Sequence, residues 1–499
     1  MEVKFFGHNC FMLKGSQVNV LTDPWFTKKG AFFGSWFQWP INHHLLNTLK
    51  KDLINGNKVI LYISHEHQDH FDIETLKKIC SLIDICIIPK YPNNFLKSSL
   101  EKVGFNVKEL EDLERYKLSD SDYIEIMIVD TGVNQDSMAI IGINDEIFIN
   151  QNDCKVFDRL NYLEGKNIKY YSVQFSGANW HPVCYDMNDD KKKKISKRKV
   201  LSKLINIKNS IELLKPKNYF PSAGPAIFPF LNFDFSTGSD NIFIHQPDLV
   251  NYLKNTDTEV VCLRPGDVFE EHKNFIPIPP PKIDELEKIK NETSCEFEKL
   301  DNKKINLSLL IEQLKLRLEK IAHLKFDKCP SLIFEWDDEG ILIQLNTNNI
   351  QHFTKYNFDY PREFMRIRAS KSYFNLMADS RYRWQDIYLT LRAKVKREPD
   401  IFNIFLNIFI HSDVNNILEG FENTLNITNE KIVIYNSHNN KNYKINRFCP
   451  HNGADLKNAK IDKDGNLICP RHGWSFNLKD SGKCKSADVS INALEIQKK

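Results

Sequence analysis

Four metal-binding side chains fall within six residues of this chain: His65, His67, Asp69 and His70, in the stretch "ISHEHQDHFD". They stand on the loop that leaves "KVILYIS", an apolar run that reads as a buried strand. Imidazole and carboxylate at this density have no use on an ordinary surface loop. Together they predict an ion held at the end of a strand. "ETLKKICSLI" continues as a helix and "ICIIPK" as a further strand, so the region reads as a layered α/β domain.

The chain has 499 residues, enough for about three domains, and 41% are hydrophobic, so each domain can bury a core. A formal charge of +3 is too small for a dedicated nucleic-acid binder. The eleven cysteines follow no small-domain disulfide spacing. "MEVKFFGHNCFML" lacks the apolar core of a signal peptide, and no stretch approaches the ~20 apolar residues of a membrane span. A reducing cytoplasm is the expected location.

"VKFFGHNCFMLKG" and "VNVLTDPWF" read as a strand hairpin. "IPIPPPK", 276 to 282, marks the clearest boundary, because consecutive prolines continue neither a helix nor a central strand. Beyond it, Leu310, Leu314, Leu318 and Ile321 form an apolar helical stripe, and "SLIFEWDDEGILIQL" reads as a hairpin. The basic run "KKKKISKRK", 191 to 199, reads as a solvated loop or helix end before the helix "VLSKLINIKNSIELL". The expected fold is α+β and multidomain: a catalytic domain over 1–275, a middle α/β region over 283–410 and a small all-β domain over 415–499.

Cys449, His451, Cys469 and His472 form C-x-H, seventeen residues, then C-x-x-H. One Cys and one His in each pair suit a [2Fe–2S] centre with two thiolates on one iron and two imidazoles on the other. A structural zinc ribbon favours paired C-x-x-C knuckles instead. Proline follows each cysteine and glycine lies near each histidine. The motif resembles the Rieske family. Ala454 and Arg471 stand where cytochrome-complex members carry an extra disulfide, so the resemblance favours the ferredoxin and oxygenase branch.

The H-x-H-x-D-H run resembles the metallo-β-lactamase superfold, an αββα sandwich, with "GHNCF" and "LTDP" as its opening strands. The resemblance makes Asp23 a group that orients the ligand loop and Asp153, in "EIFINQNDC", a bridging carboxylate. Hydrolases of this fold supply a further histidine from the preceding strand end. Here "IVDTGVNQDSMAI" has none, leaving Asp130 or Asp136, or a vacant position. Carboxylate in place of imidazole moves preference from zinc toward iron or manganese. His245 and His181 are candidates for the last ligand, and either also reads as a buried structural histidine.

The two domains in one chain resemble the CMP-N-acetylneuraminate hydroxylase family. "HEHQDH", "DTGVNQDS", "NQNDC", "FSGANWHP", "YFPSAGP" and "LRPGD" fall in the order of its signature regions, and Trp384, Asp386, Arg397, Pro399 and Asp400 match a later block. Two features depart from it: the Rieske domain comes last here rather than first, and Asn134 stands where a histidine is expected. The resemblance implies an O₂-dependent monooxygenase, or hydroxylase, acting on an N-acyl amino sugar, a nucleotide sugar or a related small molecule. It implies a Rieske [2Fe–2S] cluster on Cys449, His451, Cys469 and His472, and non-haem mono- or di-iron on His65, His67, Asp69, His70 and Asp153, with Asp130 and His245 open as further ligands. A ferredoxin or cytochrome with its NAD(P)H reductase would donate electrons, and a homo-oligomer would let them cross between subunits. The competing reading is a zinc-dependent hydrolase with an accessory redox domain. Within the first domain, "WFTKKGAFFGSWFQWP" reads either as a dry lid or as a loop pinned by aromatic burial.

Overall fold

The computed structural model describes residues 1–54, 56–131, 135–177, 179–231, 240–293, 304–326, 329–427 and 430–497. Asn134 lies outside the described residues. The chain divides into two compact units. The first comprises Met1–Asp130, Gln135–Asn179 and Asp190–Glu296; the second comprises Thr131–Asn134, Trp180–Asp189 and Phe297–Lys499. The helix Ile283–Glu292, expected to open the middle region, therefore groups with the first unit, whereas Trp180–Asp189 groups with the second.

The first unit is an αββα sandwich. Its six-stranded sheet runs, in order, Glu2–Gly7, Cys10–Lys14, Val18–Thr22, Lys58–Tyr62, Ile85–Pro89 and Val107–Leu110. The first three strands pair antiparallel and the rest parallel. A seven-stranded sheet contains Tyr123–Asp130, Gln135–Ile143, Glu146–Asn152, Ile168–Gln174 and Asn218–Ser222 as its central strands. Alternation along these strands sends Phe11, Leu13, Ile60 and Tyr62 of one sheet against Ile126, Ile141, Phe148 and Phe220 of the other, forming the middle core. The outer faces bury separate apolar sets, one including Leu49, Leu76 and Leu100 from short helices and the other Leu204, Ile207 and Ile211 from the helix Asp189–Leu214. That helix carries the basic run 191–199 in its N-terminal turns, so the run is a largely solvated helix end rather than a loop.

The second unit holds a five-stranded mixed sheet in the order Asn349–Thr354, Glu339–Gln344, Ser331–Trp336, Phe364–Arg368 and Lys394–Glu398. The hairpin read from "SLIFEWDDEGILIQL" is its antiparallel pair Ser331–Trp336 and Glu339–Gln344. In the helix Leu307–Ile321 the stripe Leu310, Leu314, Leu318 and Ile321 is buried. Arg317 is buried with it: its guanidinium lies 3.7 Å over the Trp384 ring and donates to the Phe409 and Ser412 carbonyls. Two small β-sheets follow: one of three strands, Lys431–Asn436, Lys441–Asn446 and Leu494–Ile496, and one of four, Lys460–Ile461, Asn466–Ile468, Ser475–Asn477 and Lys483–Cys484. No helix among the described residues is long and apolar enough to cross a membrane.

His411 sits against the rings of Trp180 and Tyr388, each centroid 5.1 Å away, and burial there together with Arg317 pushes its pKa from 6.5 down to about 4. The unfolded chain then binds more protons than the folded one between these values, so stability falls as pH drops from about 6.5 toward 4. His411→Gln should flatten this part of the pH dependence, measured by denaturant unfolding across that window.

Candidate metal centres

Asp23 directly follows the strand Val18–Thr22 and is fully buried. One of its oxygens accepts from Asn9 Nδ2 at 2.7 Å and Ser64 Oγ at 2.6 Å, the other from the Ser64 amide at 2.8 Å. The oxygen that receives Asn9 also lies 2.8 Å from His70 Nδ1. With Nδ1 engaged, His70 Nε2 is presented inward; it is buried and makes no hydrogen bond. His65 repeats the device. Its Nδ1 lies 3.2 Å from Asp136 Oδ1 and 3.0 Å from Ser64 Oγ, while Nε2 faces Asp153 Oδ1 at 3.8 Å and His67 Nδ1 at 2.8 Å.

Two overlapping donor groups result. In one, ligand atoms of His65, His70 and Asp153 lie within 4.8 Å of one another; in the other, those of His8, Asp69 and His70 do. His70 Nε2 stands 3.6 Å from Asp153 Oδ1 and 3.8 Å from Asp69 Oδ2, and His8 Nε2 is 3.0 Å from Asp69 Oδ2. Asp153 Oδ1 and His8 Nδ1 are buried without hydrogen bonds. Buried nitrogens and carboxylate oxygens converging in this way are what an ion of nitrogen and oxygen preference requires.

Electrostatics reflect the crowding. Burial opposes charge throughout, yet Asp136 and Asp153 hold His65 well above its ordinary pKa, and Asp153 and Asp69 lift His70. Asp69 and Asp153 are held below the usual carboxylate range by the surrounding histidines despite burial. Burial pushes Asp136 up to about 6, with His65 opposing and the Asp153 charge assisting.

The sequence candidates distribute unevenly over this site. His65, His70, Asp69 and Asp153 converge, with His67 beside His65. Asp130 enters neither group: it accepts from Gln135 Nε2 at 3.1 Å, and the strand register pairs it with Gln135 while Asp136 pairs with Val129. Successive side chains point to opposite sheet faces, so Asp136, and not Asp130, reaches His65. His245 also enters neither group; it precedes the helix Gln246–Leu253, buried, with its pKa lowered to about 4 by burial. His181 packs edge-on against Tyr185 in the second unit. His8 went unread by sequence reasoning. Its signal is the "GHN" turn between the first two strands, where Gly7 and His8 both adopt positive φ.

The aromatic segment after Asp23 is a fixed wall. Trp25, Phe26, Phe32 and Trp36 are buried. The Phe32 amide donates to Gln68 Oε1 at 2.6 Å, and the Phe26 and Thr27 amides donate to Asp72, each at 3.0 Å. Trp25 meets the His8 ring edge-on at 5.1 Å.

In the second unit, two loops share one bonding pattern. The Cys449 amide donates to Ala454 O and the Gly453 amide to Cys449 O; the Cys469 amide donates to Trp474 O and the Gly473 amide to Cys469 O. Gly453 and Gly473 have φ of 64° and 67°, the left-handed turn that glycine accepts without strain. The amides of His451 and Asn452 point at the Cys449 sulfur. Cys449 and Cys469 are buried and in no disulfide, and the neighbouring Cys469 sulfur, followed by burial, raises the Cys449 thiol. The His451 and His472 rings lie 4.8 Å apart, and Arg471 ties the loops through Asn452 O at 2.8 Å. Two close sulfurs beside two close imidazoles fit a mixed-ligand [2Fe–2S] cluster.

Comparison with known proteins agrees with both halves. A family model for a Beta-lactamase superfamily domain matches residues 2–139, and one for a Rieske [2Fe-2S] domain matches residues 408–493. A protein of Mycolicibacterium smegmatis, named as a Rieske 2Fe-2S iron-sulfur protein, is 26% identical over 97% of this chain and 98% of its own length. Cytidine monophosphate-N-acetylneuraminic acid hydroxylase of Danio rerio is 26% identical over 45% of this chain and 38% of its own length. Cholesterol 7-desaturase nvd of Hemicentrotus pulcherrimus is 29% identical over 14% of each. The chain thus joins an N-terminal domain of metallo-β-lactamase fold to a C-terminal Rieske [2Fe–2S] domain, and cytidine monophosphate-N-acetylneuraminic acid hydroxylase is among its relatives.

Proposed function

We propose that this protein is a Rieske-coupled non-haem iron monooxygenase that hydroxylates a small molecule, with N-acyl amino sugars and nucleotide sugars as the substrate class. The observation that carries the reading is the pairing, in one chain, of a Rieske domain with a buried donor set that includes the carboxylates of Asp69 and Asp153. Carboxylate oxygen favours iron over zinc, and a one-electron relay has no role in hydrolysis. The hydroxylase and desaturase relatives support an oxidoreductase.

In this reading His65, His67, Asp69, His70 and Asp153, joined by His8, hold the ion, and Cys449, His451, Cys469 and His472 hold the cluster. When bound, the cluster supplies electrons and the iron supplies the dioxygen chemistry by which one oxygen atom enters a C–H bond and the other leaves as water. The chain's own residues do the rest. Asp23 and Asp136 fix the imidazoles through Nδ1, and Asp136 Oδ1 can exchange a proton with His65 Nδ1. Phe32, Trp36 and Trp25 keep water from the site. A ferredoxin or cytochrome with an NAD(P)H reductase is the proposed electron source.

Metal analysis of the full chain purified without oxygen tests the reading. The expected result is the two irons and two sulfides of the cluster plus additional iron, with O₂ uptake that requires both reductant and substrate. Zinc in the first domain, with turnover in the absence of any electron donor, would establish the hydrolase instead. Asp23→Asn should weaken metal binding in the first domain by roughly 10–100-fold, measured by chelator competition, and leave the cluster absorbance unchanged.

A further inference from the structure

Phe402 lies outside the residues matched by the Rieske domain model, in the segment that follows the strand Lys394–Glu398. Its ring nevertheless packs into the core of that domain. It stands edge-on to two rings at once: the His451 imidazole at 5.3 Å and 89°, and the Trp474 indole at 5.3 Å and 85°. These two are themselves stacked, 4.1 Å apart and 7° from parallel. The three rings form a right-angled clamp on one side of His451.

The clamp is fixed from both sides. The Phe402 amide donates to Ser486 O at 3.1 Å, and Phe402 forms a parallel bridge with Ala487, tying the segment to the small β-domain. Upstream, Arg397 binds Asp400 through Nε at 3.0 Å and Nη2 at 2.7 Å, and its guanidinium lies 4.7 Å over the Tyr185 ring. The Ile401 amide closes the intervening turn onto Pro399 O at 2.7 Å. Phe402 is half-buried, as are His451 and Trp474, so the three rings stand at the edge of solvent.

We propose that Phe402 is a positioning residue for the iron–sulfur centre: it holds the His451 imidazole against Trp474 and shields the histidine-ligated side from water. The proposal rests on the reading of His451 as a cluster ligand. With two thiolates and two neutral imidazoles the oxidised centre is neutral and the reduced centre carries a negative charge. Water stabilises the charged form more, so the shield lowers the reduction potential.

The test is an EPR-monitored redox titration of the full chain, with iron and sulfide analysis of each variant. Phe402→Ala should keep its iron and sulfide, shift the potential upward and alter the reduced-state spectrum as the ring of His451 is released. Phe402→Leu, which keeps apolar cover, should shift it less in the same direction. Unmoved potentials and spectra in both variants, beside a wild-type signal of mixed histidine and cysteine ligation, would overturn this inference alone. Absence of that signal from the wild type would overturn the ligand assignment and the inference together. Where the alanine variant does not retain its cluster, the leucine variant decides, and a wild-type potential in it overturns the proposal.

Discussion

The first centre depends on one buried carboxylate. Asp23 is sealed from solvent, and an unpaired charge in such a place costs several kcal/mol. It is stable because three donors from two other segments converge on it and the His70 ring closes the set: Asn9 from the first hairpin turn, and the Ser64 amide and hydroxyl from the strand end. Each bond also fixes the segment that provides it. The backbone at Asp23 itself takes φ of 32°, a conformation that a residue outside glycine adopts only where surrounding contacts over-determine it. The carboxylate therefore sets the hairpin turn, the exit of the ligand loop and the ring of His70 together.

The same end of the sandwich is tied across its two sheets. Ser137 Oγ donates to Ser64 O at 2.8 Å, Tyr62 hydroxyl reaches Ser137 O at 3.0 Å, and Asn152 Nδ2 donates to Ser137 O at 2.7 Å. Ser137 thus joins the strand that carries the histidine loop to the two strands that carry Asp136 and Asp153. The imidazoles and Asp69 come from loops of one sheet, Asp136 and Asp153 from strands of the other, and their separation is set by buried polar bonds.

How much of this was legible follows from the range over which each feature is decided. The histidine loop and the paired cysteine–histidine loops are local patterns, so spacing alone exposed them. The strands and the helix Leu307–Ile321 showed through periodicity. His8 is a longer-range matter: it enters the site because two residues of positive φ turn the first hairpin and bring it beside Asp69, sixty-one positions on. The choice between Asp130 and Asp136 is a question of register, and a one-residue change of register exchanges the two faces. No local signal reveals that Trp180–Asp189 groups with the second unit, nor that the lysine run continues a helix. Charge repulsion argues against helix there, whereas Leu204, Ile207 and Ile211 further along the same helix anchor it to a sheet.

On the proposed reading the two centres would hold metal in opposite ways, one through side chains and the other through backbone. The first fixes imidazoles with side-chain carboxylates, leaving buried nitrogen and oxygen atoms aimed at a shared space. Side-chain donors of this kind can tolerate a change in coordination as a substrate or gas enters. The second cradles its cysteines with backbone: twin loops, matched amide bonds and glycines of matching φ. Backbone amides aimed at sulfur are held by the loop itself, which suits a proposed one-electron centre that keeps its ligands. A chain needing only hydrolysis would gain nothing from the second arrangement. The proposed supply of electrons to an ion in the first domain would call on both arrangements, and it gives the proposed aromatic clamp on His451 a place in the same design.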